Sequence, residues 1–206
     1  SSISTSVSMK LKSLVVFSLT LILMGIGNPD LGKKKAVTCA ACHGEDGNSQ
    51  VGLWPSLAGQ NFKYLKQQLL LMKSGERSVQ EMAGQLDGFT EQDLEDIARY
   101  YSEEETKIGQ ASSDLVEKGS SLYYMGSLEK GIPACAACHS PRGRGNSPAG
   151  YPLLSGQKSE YIAETLKEYR TGSRQYSEES AIMVSIAYKL DDKEIEALSN
   201  FINGLY

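Results

Sequence analysis

The chain has 206 residues, with 21 Lys and Arg, 25 Asp and Glu, and a net charge of −4 at neutral pH. Its 40% hydrophobic content is that of a globular protein of one or two domains and excludes a disordered chain. The acidic balance without a basic block argues against nucleic-acid binding. Only two histidines and four cysteines are present, so mechanisms that need a third histidine are excluded.

The N-terminal segment has the pattern of an export signal. Lys10 and Lys12 precede an uncharged, largely apolar run from Leu14 to Ile26. This run of 13 residues is shorter than the roughly 20 that a membrane-spanning helix needs. We therefore predict that residues 1–27 form a secretory signal peptide and that the mature protein is periplasmic.

The sequence offers a candidate initiator methionine and a candidate cleavage site. Residues 1–8 precede a candidate initiator, Met9, and are interpreted as an incorrectly assigned start or a cloning remnant. Cleavage is expected near Asn28, where small residues precede the junction, although no A-x-A site is present. Two alternatives stay open, a retained membrane anchor and a Leu-rich core helix of an intracellular protein.

The remainder of the chain carries helical signals, and no alternating strand pattern of useful length is present. Thr90 with Asp93, and Asp191 with Glu194, are typical of helix N-caps that precede apolar residues at helical spacing. The fold class is therefore predicted to be all-α. In chain order, helices are expected between Leu31 and Cys39, from Asn61 to Lys73, from Thr90, from Leu115 to Leu128, from Ser159 to Tyr169, and from Asp191.

The sequence C-A-A-C-H occurs twice and contains the residues that are candidates for cofactor binding. The two copies use every cysteine and histidine of the chain, namely Cys39, Cys42, His43, Cys135, Cys138 and His139. C-x-x-C-H is the attachment signature of c-type haem, in which two thiols form thioethers and the imidazole binds iron. On one helical turn all three side chains can face the same porphyrin. The sequence thus predicts two covalent haem c groups.

The cysteines have two other interpretations. Redox-active disulfides of the thioredoxin type would need a strand-helix-strand pattern around each pair. A four-cysteine zinc site normally brings its pairs within roughly 15–20 residues. Here 92 residues lie between Cys42 and Cys135, and both interpretations are disfavoured.

The chain also contains an internal repeat. Cys39 matches Cys135 at an offset of 96, the offset then settles at 97, and it becomes 101 at the last helix of each half. A four-residue insertion must lie between. The residues matched at 97 are Pro55 and Pro152, Leu57 and Leu154, Gly59–Gln60 and Gly156–Gln157, Tyr64 and Tyr161, Gly75 and Gly172, and Arg77 and Arg174.

The repeat divides the chain into two copies. We predict a first domain over residues 28–105, a linker over residues 106–113, and a second domain over residues 114–206. In domains of this size a haem is also the structural centre, because the chain has little apolar area of its own to bury.

The second axial position of each iron needs a ligand, and no third histidine exists. A methionine, a lysine, water or no ligand are the alternatives. Met82 and Met183 are related by the 101 offset of the following helix, whereas Met72 aligns with Tyr169. Packing is the ordinary role of a buried methionine, but the repetition favours Met82 and Met183 as the distal ligands.

These features together resemble the dihaem cytochromes c4. The resemblance rests on the two C-A-A-C-H motifs, a P-x-L-x-G-Q segment after each, a G-x-R segment, and a methionine ahead of the last helix of each half. It covers the whole predicted mature chain. It implies two tandem class I cytochrome c domains, each wrapped around one covalent haem, with the haems close together.

The resemblance also implies roles for four further residues. The carbonyls of Pro55 and Pro152 are expected to accept a hydrogen bond from the proximal histidine Nδ1–H, which fixes the imidazole. Arg77 and Arg174 are expected near haem propionates, with solvated surface arginines as the alternative.

The expected function is electron transfer without enzymatic turnover. A haem iron with both axial positions filled has no open site for substrate, so Fe(II)/Fe(III) cycling would be outer-sphere. The resemblance implies redox partners in the respiratory chain: a donor such as the bc1 complex or a small cytochrome, and an acceptor such as a terminal oxidase. Membrane association would arise only through these partners or an uncleaved N-terminus.

Two other functions stay open. The chain could be the dihaem electron-accepting subunit of an enzyme complex such as a flavocytochrome sulfide dehydrogenase. A haem enzyme such as a peroxidase would need an open iron, which rapid binding of cyanide or CO would reveal.

The two haem motifs have different surroundings in the sequence. The first is followed by the acidic segment Gly44–Gly47, whereas the second is followed by Ser140–Arg142, which carries an arginine. Charge near a haem changes the cost of the additional positive charge in the ferric state. We therefore expect two different reduction potentials.

Overall fold

The computed structural model describes residues 27–206, which form helices joined by loops. The signal-peptide prediction for residues 1–27 therefore lies outside the described residues except for Gly27. Within the described part there is no β-strand, only two isolated bridges. The all-α prediction is confirmed. No helix among residues 27–206 is long and apolar enough to cross a membrane.

The first half of the described chain has four α-helices. Two short 3-10 turns, Ala36–Thr38 and Gln80–Met82, lie between them. The helices are α1 (Pro29–Lys35), α2 (Ala40–His43), α3 (Phe62–Ser74) and α4 (Glu91–Glu103).

The second half repeats this order and adds one helix. Its helices are α5 (Ser113–Met125), α6 (Ala136–His139), α7 (Ser159–Thr171), α8 (Glu178–Ala187) and α9 (Asp192–Asn203). The four-residue insertion inferred from the repeat falls in the region of α8, which the sequence pattern did not predict. The first half has only the turn Gln80–Met82 in the corresponding place.

Helices α4 and α9 begin at capping boxes formed by their own side chains. Thr90 and Asp93 form a reciprocal capping box at the start of α4, and Asp191 and Glu194 form one at the start of α9. Both N-caps are therefore as predicted. Such a cap satisfies backbone N–H groups that have no partner within the helix and contributes about 1 kcal/mol.

Each half has its own apolar core. In the first half the core includes Leu94, Ile97 and Tyr101 on α4. In the second half it includes Ile195, Leu198 and Ile202 on α9. The capped helices thus place their apolar faces inward, as their sequence spacing predicts.

The segment between α4 and α5 is bonded to both halves. The backbone N–H of Lys107 donates to Asn48 Oδ1 in the first half at 2.8 Å. Only two residues later, the N–H of Gly109 donates to the carbonyl of Asn203 in the second half at 2.9 Å. The domain limits 28–105, 106–113 and 114–206 stay predictions, and this crossing point lies inside the predicted linker.

Helices α5 and α9 cross closely because one residue at the crossing has no side chain. A Cβ added at Gly119 of α5 would clash with the carbonyl oxygen of Ala197 on α9. Gly32 of α1 meets the carbonyl of Asp96 on α4 in the same way. Backbone atoms cannot give way cheaply, so both crossings require glycine.

We predict that Gly119→Ala lowers the free energy of unfolding by about 1–3 kcal/mol, because the added methyl forces α5 and α9 apart. Guanidinium unfolding of the haem-loaded protein, followed by circular dichroism, measures this. Gly88→Ala is the matched control, since nothing lies within 4 Å of its added Cβ. Equal stability of the two variants would contradict the close crossing.

Candidate functional site

Each C-A-A-C-H segment forms one helical turn. In the first, the N–H of His43 donates to the carbonyl of Cys39 at 2.9 Å. In the second, the N–H of His139 donates to the carbonyl of Cys135 at 2.9 Å. The i, i+3, i+4 spacing is thus realised as a single turn that groups the two sulfurs with the imidazole.

The residue after each histidine has a positive φ. Gly44 has φ +84°, a conformation that glycine adopts without steric cost. Ser140, at the same position in the second half, has φ +67° and is the one non-glycine residue with positive φ in the described chain. The turn geometry after the motif is therefore maintained in the second half at the cost of backbone strain.

The cysteine chemistry fits thioether formation better than the alternatives. None of the four cysteines is in a disulfide, and Cys42 and Cys138 are exposed. One pair lies at the N-terminus and on the turn of α2, and the other in the same way at α6. No group of three or more His, Cys, Asp or Glu side chains in residues 27–206 is arranged to hold a metal ion. The structure thus does not build a four-cysteine zinc site.

Both histidines are oriented by a proline carbonyl. His43 Nδ1 lies 2.8 Å from the Pro55 carbonyl oxygen, and His139 Nδ1 lies 3.1 Å from that of Pro152. A carbonyl can only accept, so Nδ1 carries the proton and the Nε2 lone pair is free to bind a metal. Burial lowers the pKa of both histidines, despite the opposing effect of these hydrogen bonds. The imidazoles are therefore neutral at pH 7.

Both motifs open into one continuous cavity of about 540 Å³. Its walls are mainly apolar and come from both halves of the chain, including Leu65 and Leu69 of α3 and Ile162 and Leu166 of α7. Such dimensions and lining are typical of cofactor sites. The apolar lining around both motifs therefore suits a large, flat, apolar cofactor at each of them.

Both predicted methionine ligands line this cavity, with different local structure. Met82 ends the 3-10 turn Gln80–Met82, whereas Met183 lies within α8. Met72 of α3 also lines the cavity. Placement alone therefore does not separate Met72 from Met82, and the repeat remains the argument for Met82.

The two predicted propionate-binding arginines lie where the halves meet. Arg174 is 2% exposed, forms a 2.8 Å ion pair with Glu168, and contacts Tyr64 of the first half and Tyr161 of its own half at 3.4 and 3.3 Å. Arg77 contacts Tyr161 from the first half at 3.5 Å. Arg174 is thus a buried cation and not a solvated surface arginine.

The two arginines act on a tyrosine that they share. Burial opposes ionisation of Tyr161, but the charges of Arg174 and Arg77 outweigh it and lower its pKa to about 8. Ordinary tyrosine has a pKa near 10. The two arginines therefore provide positive charge in this region, which favours the anionic form of a neighbouring group.

Three buried polar atoms have no hydrogen-bond partner among the described residues: Tyr101 Oη, Thr165 Oγ1 and Arg174 Nε. Tyr101 and Thr165 line the cavity. Leaving a buried donor unpaired costs about 1–3 kcal/mol. An occupant of the cavity that forms hydrogen bonds with Tyr101 Oη and Thr165 Oγ1 would remove this cost at those two atoms.

Some of these residues carry no functional signal in the sequence. Tyr64 and Tyr161 were visible as repeat partners, but the repeat gave no sign that they contact each other's half. Tyr101 aligns with Ile202 at the 101 offset, so it has no repeat signal.

Comparison with known proteins places this geometry in a class. The family model described as Cytochrome c matches residues 116–205, and that of Cytochrome C oxidase, cbb3-type, subunit III matches residues 33–100. Each half thus carries a cytochrome c unit with one haem motif. The protein is a dihaem cytochrome c with two covalently bound haem c groups, an electron carrier and not an enzyme.

The relatives narrow this class further. Cytochrome c4 of Azotobacter vinelandii is 45% identical over 208 residues, covering 95% of this chain and 99% of the relative. The crystal structure of reduced recombinant cytochrome c4 from Pseudomonas stutzeri is 43% identical with a TM-score of 0.85, covering 87% of this chain and all of that one. The chain belongs to the cytochrome c4 family.

A more distant relative has a different description. A protein described as a thiosulfate dehydrogenase electron acceptor, from Thiomonas intermedia, is 31% identical over 173 residues, or 82% of this chain and 78% of the relative.

We predict that Met82→Ala and Met183→Ala each remove about half of the methionine–iron charge-transfer absorption, because each takes away one thioether ligand. Met72→Ala is the control and should leave the band intact, although Met72 lines the same cavity. Absorption spectra of the oxidised proteins measure this. A full band in both ligand variants would refute the assignment.

Proposed function

We propose that Cys39, Cys42, His43 and Met82 hold the first haem, and Cys135, Cys138, His139 and Met183 the second. The support is that all eight residues line one cavity and each imidazole presents Nε2 while Nδ1 is bonded. When bound, haem iron supplies reversible one-electron transfer. The chain's own groups attach the ring, keep the proton on Nδ1, and exclude water with the apolar walls of α3 and α7.

The continuous cavity is the observation that carries the functional proposal. Since walls from both halves enclose both motifs, an electron received in one half can pass to the other within the protein interior. With a histidine and a methionine as ligands, each iron would have no open position for a substrate. The arrangement therefore favours reception at one half and delivery from the other.

The role we propose is that of a periplasmic carrier from the bc1 complex, or a small cytochrome, to a terminal oxidase. Its support is the membership in the cytochrome c4 family and the predicted signal peptide in residues 1–27. The test is the purified dihaem protein added to membranes that contain both complexes. Ubiquinol should reduce it in a manner blocked by a bc1 inhibitor, and oxygen should reoxidise it in a cyanide-sensitive manner. Failure of both steps would reject this role.

A second candidate function is that of an electron-accepting subunit of an enzyme complex. A flavocytochrome sulfide dehydrogenase is one partner class for this role, and the Thiomonas intermedia relative adds a thiosulfate dehydrogenase as another. Gel filtration of the native protein separates the two functions. Co-elution with a catalytic subunit, and reduction by thiosulfate or sulfide in its presence, would favour the second.

The loops after the two motifs predict unequal reduction potentials. Glu45 and Asp46 follow the first motif, whereas Arg142 and Arg144 follow the second. Positive charge near a haem disfavours the ferric state, so we expect the second haem to have the higher potential. All four side chains are partly or fully exposed, so salt should reduce the difference.

A spectroelectrochemical titration measures this, and Arg142→Glu should lower the potential of the second haem only. Lys158→Glu makes the same charge change outside the loop and serves as the control. A titration in which both haems follow one single-electron Nernst curve would refute the prediction.

A further inference from the structure

Two buried glutamines occupy equivalent positions in the two halves. Gln60 and Gln157 are 6% and 5% exposed. Gln60 lies two residues before the start of α3, and Gln157 lies two residues before the start of α7. Each side chain Oε1 accepts the N–H of the intervening residue, Asn61 at 2.8 Å and Lys158 at 2.9 Å. Their own half therefore fixes the orientation of each amide.

The remaining hydrogen bonds of each glutamine reach into the opposite half. Gln157 accepts from Ser56 N at 2.9 Å and donates to Ser56 O at 2.9 Å. Gln60 accepts from Leu153 N at 2.8 Å and donates to Leu153 O at 3.1 Å. Ser56 and Leu153 are themselves repeat partners at offset 97, so the two contacts form a reciprocal pair.

The peptide groups held in this way are the same ones that orient the histidines. The N–H of Ser56 and the carbonyl of Pro55 belong to one planar amide, and that carbonyl accepts from His43 Nδ1. Likewise, the N–H of Leu153 and the carbonyl of Pro152 form one amide, which accepts from His139 Nδ1. Each proximal histidine is thus connected through a single peptide group to a glutamine of the other half.

This chain of hydrogen bonds has an electronic consequence. An acceptor on the N–H side of an amide polarises it and makes its carbonyl oxygen a stronger acceptor. A stronger acceptor at Nδ1–H raises the basicity of the imidazole and hence its donation through Nε2. Greater donation favours the ferric iron, so the amide of a glutamine in one half lowers the potential of the haem in the other.

We propose that Gln60 and Gln157 are crossed positioning residues, each of which tunes the proximal histidine of the opposite half. The inference rests on the proposed function in one respect, namely that His43 and His139 are the axial ligands. It also assigns a function to the contact between the halves: the electronic state of each site depends on that contact being formed.

The test must report on one haem at a time. In a Met183→Ala background only the first haem retains its methionine–iron band, so titration of that band gives the potential of this haem alone. Gln157→Met removes the amide at similar length. We expect the potential of the first haem to rise, with the ferrous-to-ferric ratio at a fixed applied potential changing about threefold.

Conservative and matched variants distinguish tuning from a loss of packing. Gln157→Glu retains an oxygen acceptor for the Ser56 N–H and should restore most of the original potential. Asn61→Ala removes a different crossing contact, a 2.6 Å hydrogen bond to the Tyr151 carbonyl, and should leave the potential of the second haem unchanged. In the reciprocal experiment, Gln60→Met in a Met82→Ala background should raise the potential of the second haem. This experiment tests the proposal independently where Gln157→Met does not fold.

The crossed pattern is the decisive outcome. A shift confined to the haem of the glutamine's own half, or no shift at either haem, would overturn the proposal. Failure of the proposed function would look different, because Met82→Ala and Met183→Ala would then leave the methionine–iron band intact before any glutamine is changed.

Discussion

The structure depends on one constraint, which is that each half must fold around a large apolar group instead of packing entirely on itself. Helices α3 and α7 direct leucine and isoleucine side chains into the shared cavity. Their burial requires an occupant, since a water-filled apolar cavity of this size would remove much of the stabilisation gained from burying apolar surface. Covalent attachment at the C-A-A-C-H turns ensures that the occupant is permanent.

The close helix crossings are a consequence of that constraint. Because part of the interior is committed to the cofactor, the helices have less apolar core to share and must approach each other closely. Gly32 allows the backbones of α1 and α4 to come into contact, and Gly119 does the same for α5 and α9. Much of the packing between protein elements therefore lies along these two crossings.

The sequence was sufficient to predict the haem-binding residues and most helices, but not the contacts between the two halves. Motif spacing, capping residues and helical periodicity each depend on neighbours in the chain. They therefore predicted the haem turns and helices in the regions of α1, α3, α4, α5, α7 and α9. Helix α8 was missed because its apolar residues, from Ala181 to Ala187, lie all around the helix and give no single face. The buried state of Arg174 was not predictable either, since a partner, Tyr64, comes from the opposite half.

The short tether between the halves alters what their interface must achieve. Residues 107 and 109 are already bonded to opposite halves, so the two surfaces meet at an effective concentration in the millimolar range or above. An interface under such conditions does not need a large apolar area to stay formed, and it can be composed of amides, tyrosines and arginines. Polar groups that would hold a dimer of separate chains only weakly can therefore keep the two halves of one chain together and connect their haem sites.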